Sequence, residues 1–247
     1  MKAPRLTICF DNVPGPSVVQ GSDLAGLTTL WGFSAVIELA GEVLLFDTGS
    51  NGRVLLRNLK ALGWHPGRLD RVFLSHPHWD HIGGLDSILE LNPRLEVVLH
   101  AGFSKHLIAD LERLCAKVTI VESAPTAIGQ GLWSTGQLDS EPPEHALLID
   151  QGAVTAAVSG CDHPGMEQIV ARGTEILGKR IDWAVGGFHL MYADQPAIER
   201  AIVALHALEV RKVVPTHCTG EQARTAFAKA WGEHCVDGGV GRVIELV

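Results

Sequence analysis

The stretch Leu74-Ser75-His76-Pro77-His78-Trp79-Asp80-His81-Ile82-Gly83-Gly84 sets three imidazoles and one carboxylate within six positions. Just ahead of it, Asp70-Arg71-Val72-Phe73-Leu74 reads as a short buried strand. His76 and His78 are two apart, so an extended backbone carries them on one side. Asp80 and His81 then turn onto a second direction, with no helical spacing. Two ligand pairs aimed two ways suit two adjacent ions better than one. Neutral imidazole and carboxylate are ligands that zinc, iron and manganese take. A His-rich surface turn is the plain alternative, but it has no reason to sit between a buried strand and an apolar helix opened by glycine.

Outward from this loop the chain alternates between strand and helix. Leu6–Phe10, Trp31–Leu39 and Glu42–Phe46 read as strands, the last two joined by a tight turn at Ala40-Gly41. Between the first two lies a Pro/Gly-rich loop from Val13 to Gly26, read as a lid or a mobile segment. The third strand runs into Asp47-Thr48-Gly49, where Asp47 is also a candidate cap for a helix over Val54–Leu62. After the His loop come a helix, the strand Val97–Leu99, a helix with Leu107, Ile108, Leu111 and Leu114 on one face, and the strand Val118–Val121. Glu122–Glu144 shows little periodicity and reads as loop and edge strand. A hairpin of Ala146–Ile149 with Thr155–Val158 leads into Gly160-Cys161-Asp162-His163-Pro164-Gly165. Strands at Trp183–Val185 and Lys212–Pro215, each followed by a helix, and a last strand at Arg242–Leu246 complete an α/β pattern. No linker or composition break divides the chain, so residues 1–247 are expected to form a single domain.

Three further histidines share one context: a strand, a turn, then His near a glycine. They are His163, His189 and His217. Functional residues of layered α/β folds gather at such strand ends. His65, His106, His206 and His234 lack that context and read as packing or surface residues.

Taken together, His76-x-His78-x-Asp80-His81, Gly160-Cys161-x-His163-x-Gly165, Gly186-Gly187-Phe188-His189-Leu190 and His217-Cys218-Thr219-Gly220 make the chain similar to the metallo-β-lactamase superfamily. The resemblance covers nearly the whole chain. It is nearest the branch grouped with an archaeal dihydropteroate-synthase-like enzyme of methanopterin biosynthesis, which Gly32-Phe33-Ser34 and Thr135-Gly136 also fit. It implies a four-layer αββα sandwich of two mixed β-sheets flanked by helices, with a one- or two-metal site at one edge. It also implies metal ligands at His76, His78, Asp80, His81, His163 and His217, and a supporting role beneath them for Asp47. Where the superfamily has Gly-Asp at its bridging turn, this chain has Cys161-Asp162-His163, so bridging by Asp162 stays open. The usual upstream His is replaced by Glu144-His145 near that place.

The expected cofactor is one or two divalent ions, zinc first, with iron or manganese as alternatives. The expected reaction is hydrolysis of a small anionic, phosphoester-like substrate by metal-activated hydroxide, with Asp80 and His189 as catalytic residues. His189 is read as a helper in acid catalysis or substrate binding. Two alternatives come from other classes. One is a pterin-type transferase in which an aromatic amine displaces pyrophosphate; the other is a non-enzymatic, metal-loaded binding or sensing module.

Composition narrows the partners. Of 247 residues, 46% are apolar, ample for a core. The net charge of -8 argues against a nucleic-acid partner held on a basic face. No basic clamp or appended RNA-binding segment is visible, which weakens a nuclease reading. No apolar run is long enough for a membrane span, and Met1-Lys2-Ala3-Pro4-Arg5 does not open a signal peptide. Five scattered cysteines, with no C-x-x-C pair, do not make a disulfide framework and fit a reducing cytoplasm. Oligomeric state leaves no mark in the sequence.

Overall fold

The computed structural model describes residues 3–15, 26–39 and 41–247. The loop expected over Val13–Gly26 lies largely outside the described residues, as does Ala40 of the expected turn. The chain divides into two compact units, Met1–Val121 with Gly239–Glu245, and Glu122–Gly238 with Leu246–Val247.

In the first unit the strands are β1 (Arg5–Asp11), β2 (Phe33–Leu39), β3 (Glu42–Phe46), β4 (Arg71–Phe73), β5 (Glu96–His100) and β6 (Lys117–Val121), closed by β13 (Val243–Glu245). Their order in the sheet is β13-β1-β2-β3-β4-β5-β6. β1, β2 and β3 pair antiparallel, Leu39 opposite Glu42 in the hairpin, while β3 to β6 run parallel. Parallel neighbours need crossover connections. These hold α1 (Gly52–Ala61), α2 (Trp79–Ile82), α3 (Leu85–Leu91) and α4 (Lys105–Leu114). Alternation decides which side each strand residue faces. Leu45 packs with Leu55, Leu59, Val72, Ile88 and Leu99 under the helices. Its neighbour Phe46 instead stacks on Phe73, ring centroids 5.4 Å apart. The cap of α1 is Asn51, whose side chain accepts from the Val54 N–H, so Asp47 is left for another task.

In the second unit the strands are β7 (Thr126–Gly129), β8 (Leu132–Ser134), β9 (Leu147–Asp150), β10 (Thr155–Ser159), β11 (Trp183–Gly187) and β12 (Lys212–Thr216), in the order β12-β11-β10-β9-β8-β7. β7 to β10 form an antiparallel meander, and β10, β11 and β12 run parallel. The region expected to be loop and edge strand thus holds a hairpin, β7–β8, of which only β7 is an edge. α5 (Met166–Leu177) and α6 (Gln195–Ala207) make the crossovers, and α7 (Glu221–Trp231) follows β12. α5 stops at Gly178 in the left-handed conformation, and α6 starts at Asp194, which accepts from the Ala197 N–H. Leu148, Ile169, Val170, Ala184, Leu205, Val213 and Phe227 form its core. The architecture is therefore α/β, two mixed sheets flanked by helices.

Candidate metal centre and active site

β3 ends where Asp47 takes a left-handed backbone, φ 51°, and turns its carboxylate under the His loop. Oδ1 accepts the Ser75 N–H at 2.7 Å; Oδ2 accepts Ser75 Oγ and faces His81 Nδ1, both at 2.7 Å. Asp47 is fully buried. Burial pushes its carboxyl above the ordinary range, against the pull of His81 and the Ser75 hydrogen bonds. Ser75 Oγ also lies 2.9 Å from His76 Nδ1. Asp47 thus fixes two rings of the motif, one directly and one through Ser75.

Asp80 and His81 lie on the single helical turn α2, with His78 at its N-cap, where the sequence suggested no helical spacing. That turn carries both side chains inward and leaves Trp79 62% exposed. The His76 ring centroid is 4.8 Å from that of His78 and 4.2 Å from that of His81. His81 Nε2 is 3.6 Å from Asp80 Oδ2. The turn is clamped behind: Thr48 N and Oγ1 both donate to the His81 carbonyl, at 2.6 and 3.0 Å. A Cβ on Gly84 would sit 2.4 Å from the Thr48 carbonyl oxygen, so the close approach requires glycine there.

In the second unit, Glu144 plays the part that Asp47 plays in the first. It is fully buried. Oε1 accepts Ser159 Oγ at 2.8 Å and the N–H groups of Gly160 and Cys161 at 3.0 and 3.1 Å; Oε2 accepts the His163 N–H at 2.9 Å. The turn after β10 is wrapped on one carboxylate. The sequence drew attention to Glu144 only for its place beside His145. A lone acid between Pro142-Pro143 and an apolar strand is the signal that marks it. His145 Nδ1 lies 2.8 Å from Ser134 Oγ.

Asp162, in a left-handed backbone at φ 66°, is buried. Burial raises its carboxyl well above the usual range, and Glu144 and Glu167 add to the effect. Its Oδ1 has no hydrogen-bond partner among the described residues. His163 is half-buried, its ring 4.4 Å from His189. His189 (φ 48°) is exposed, and His217 (φ 50°) is buried at the start of a helical turn after β12. Thr219 Oγ1 accepts the Phe188 N–H at 3.0 Å and donates to the Thr216 carbonyl at 2.6 Å, tying the ends of β11 and β12 together.

The cysteines were passed over in the sequence, yet Cys161 and Cys218 stand with His189 in one cluster, their donor atoms all within 4.8 Å of one another. Burial alone would raise the Cys218 thiol, but hydrogen bonds with Cys161 and His189 and the nearby His217 draw it well below its ordinary value. His189 is raised in turn, chiefly by its hydrogen bond to Cys218, against burial. Alongside opens a cavity of about 410 Å³, lined among others by Asp162, His163, Phe188, His189, Arg200 and Phe227. It sets charged and polar side chains among apolar ones, as small-molecule sites do. Arg200 makes no ion pair among the described residues.

The donor set suits a divalent ion. Three imidazoles are clustered on one loop, and the Asp47 carboxylate orients His81 directly and His76 through Ser75, as orienting partners do in metal sites generally.

The sequence model described as the metallo-beta-lactamase superfamily matches residues 30–112. Over its full length the chain is similar in structure to Tm1679, a metal-dependent hydrolase of the β-lactamase superfamily, with a TM-score of 0.78 and 26% identity, covering 98% of this chain and 99% of that one. The chain has the α/β fold of the metallo-β-lactamase superfamily. Among relatives of this metallo-β-lactamase-fold enzyme is the 7,8-dihydropterin-6-methyl-4-(β-D-ribofuranosyl)-aminobenzene-5'-phosphate synthase of Methanocaldococcus jannaschii, 27% identical over 87% of this chain and 90% of that one. Human tRNase Z, short form, shares the fold alone, with a TM-score of 0.64 at 14% identity, covering 98% of this chain and 99% of that one. Among the described residues no helix is long and apolar enough to cross a membrane.

Proposed function

We propose that this enzyme is a metal-dependent hydrolase of a small anionic ester, phosphoester-like in class. The observation that carries the reading is the His76–His78–His81 cluster held on the Asp47 carboxylate. His76, His78, Asp80 and His81, with His163 and His217, are the proposed ligands of one or two divalent ions, zinc first. A bound ion supplies Lewis acidity toward a phosphoryl oxygen and lowers the pKa of water toward ~7. The protein's own groups do the rest. Asp80 orients the nucleophile. Arg200, exposed on the cavity wall, offers a fork to the substrate's anionic group. His189, also in that wall, donates an N–H to the developing oxyanion or leaving group. Whether Asp162 joins as a bridging carboxylate is part of the same proposal, supported by its buried Oδ1.

The test is metal analysis of protein purified without added metal, beside a screen of generic phosphoesters. Turnover should vanish in His76→Ala together with the metal that His76 holds. Turnover that persists in the metal-depleted protein would sink the reading. The M. jannaschii relative motivates a second reading, a transferase in which an aromatic amine displaces pyrophosphate from a pterin-type substrate. Release of pyrophosphate that requires the amine and not water would select it.

A further inference from the structure

We propose that Ala201 and Arg200 on α6 select the esters this enzyme takes: Ala201 leaves room for a bulky, ring-sized apolar body, and Arg200 pairs with a second anionic group carried by that body. The inference deepens the reading of the site as one for small anionic esters and rests on it.

The cavity of about 410 Å³ is lined by residues of the second unit alone. α6 contributes Ala197, Arg200, Ala201 and Ala204 to its wall. These positions share one helical face. Three of them are alanine, so the wall leaves open space over roughly 10 Å at 1.5 Å per residue. Phe188, Leu205 and Phe227, all buried, line the same space. The rings of Phe188 and Phe227 stand edge to face with centroids 5.3 Å apart, a packing that a further ring can extend. His163 and His189 also line the cavity. An ester held at this proposed ligand and this proposed acid therefore has its organic body beside the alanine face.

Charge is distributed unevenly over the lining. Asp162 and Glu167 both belong to it, and both are engaged at the start of α5. Asp162 accepts the Met166 N–H. Its buried Oδ1 has no partner among the described residues, which marks a space that an occupant completes. The Glu167 carboxylate folds back over Gly165, where a built Cβ would lie 2.7 Å from Oε1, and there the helix dipole favours an acid. On α6, Glu199 accepts Gln195 Nε2 at 2.9 Å. Arg200 is exposed and makes no ion pair among the described residues. It lines the cavity and also borders the open face of Pro196 and Val203, which puts it at the mouth. α6 begins shortly after His189, and Arg200 stands roughly 9 Å along it from the cap at Asp194. A guanidinium there meets a carboxylate or a phosphate as a two-pronged donor. The reacting phosphoryl group belongs with His163 and His189, so the anion at Arg200 is a second one.

The test uses the zinc-loaded full-length protein and a matched set of esters: methyl phosphate, phenyl phosphate, meta- and para-carboxyphenyl phosphate, and meta- and para-phenylene bisphosphate. kcat/KM should rise from methyl to phenyl, and again to the rings with a second anion. Ala201→Leu should cut the phenyl-over-methyl preference at least ~10-fold, because a single methylene in an apolar pocket is worth about 10–200-fold. Arg200→Gln, a change at an exposed side chain, should cut the preference for a second anion ~10–100-fold, the scale of a hydrogen bond to a charged group. The anion whose preference falls further, carboxylate or phosphate, is the one the site is built for. The corresponding phosphonates, which resist hydrolysis, should show the same preferences by calorimetry. Should Ala201→Leu fail to fold by circular dichroism, Ala197→Leu takes its place. Phosphonates that bind with these preferences while no ester is turned over would sink the hydrolase reading and leave the pocket assignment standing. The assignment itself is overturned if the wild type prefers neither the ring nor the second anion by either readout, or if the variants keep the wild-type preferences.

Discussion

Asp47 and Glu144 are buried carboxylates whose hydrogen bonds all go to one loop, and their removal should have different signatures. Asp47 touches a candidate ligand directly, through His81 Nδ1. Asp47→Ala is expected to weaken zinc affinity ~10–100-fold, as loss of a ligand's orienting partner does. Competition against a chromophoric chelator measures it; unchanged affinity would leave Asp47 a purely structural acid. Glu144 instead satisfies the backbone: three main-chain N–H groups and one hydroxyl depend on it. Each buried donor left unsatisfied costs ~1–3 kcal/mol, so Glu144→Ala should lower unfolding free energy by at least ~3 kcal/mol in urea. A third expectation concerns reactivity. Burial pushes the Cys9 thiol up to about 12, against its hydrogen bonds, so it stays protonated through the neutral range. Peptide mapping after alkylation at about pH 8 should find Cys9 unmodified until the protein is unfolded.

Among the elements, β11 has little room for change at its end. Gly187, its last residue, faces Cys218 Sγ and the Gly160 carbonyl, each 2.5 Å from a built Cβ. Gly187→Ala should cost about 1–3 kcal/mol, the usual scale of overpacking. Thermal melts would show the loss. The elements also explain what the sequence could convey. The His loop was legible because its donors are neighbours in the chain, and a strand-to-helix step fixes their directions. Its one helical turn was not, since Trp79–Ile82 is too short to display a period. The β7–β8 hairpin was hidden for the same reason: β8 is three residues long and its burial comes from neighbours in the sheet. Attention to strand ends draws out His163, His189 and His217 but not the cysteines beside them. Cys161 and Cys218 flank two of them and come close to each other only because β10 and β12 border the same strand, a relation that spacing along the chain does not encode.

For the whole molecule, the excess of acid is the background against which the site works. A net charge of -8 repels polyanions at range, yet the cations of the proposed site would dominate locally and draw in a small anion. Those cations should also stabilise the chain, because an ion that binds the folded state alone adds ~2.7 kcal/mol at a free concentration 100 times its Kd. For a chain of this size that corresponds to about 5–10 °C in Tm. Scanning calorimetry with zinc, then with excess chelator, should show a drop on that scale; coincident melts would mean that no tight site exists.

The left-handed backbones at Asp47, Asp162, His189 and His217 carry a consequence for anyone who evolves this protein in the laboratory. Glycine relaxes such a position, so at each of them the substitution that eases the main chain is also the one that deletes a side chain of the proposed site. A library selected only for heat resistance or expression yield would drift toward glycine at these strand ends and return well-behaved, inert variants. Selection for turnover would have to run in every round for the chemistry to survive.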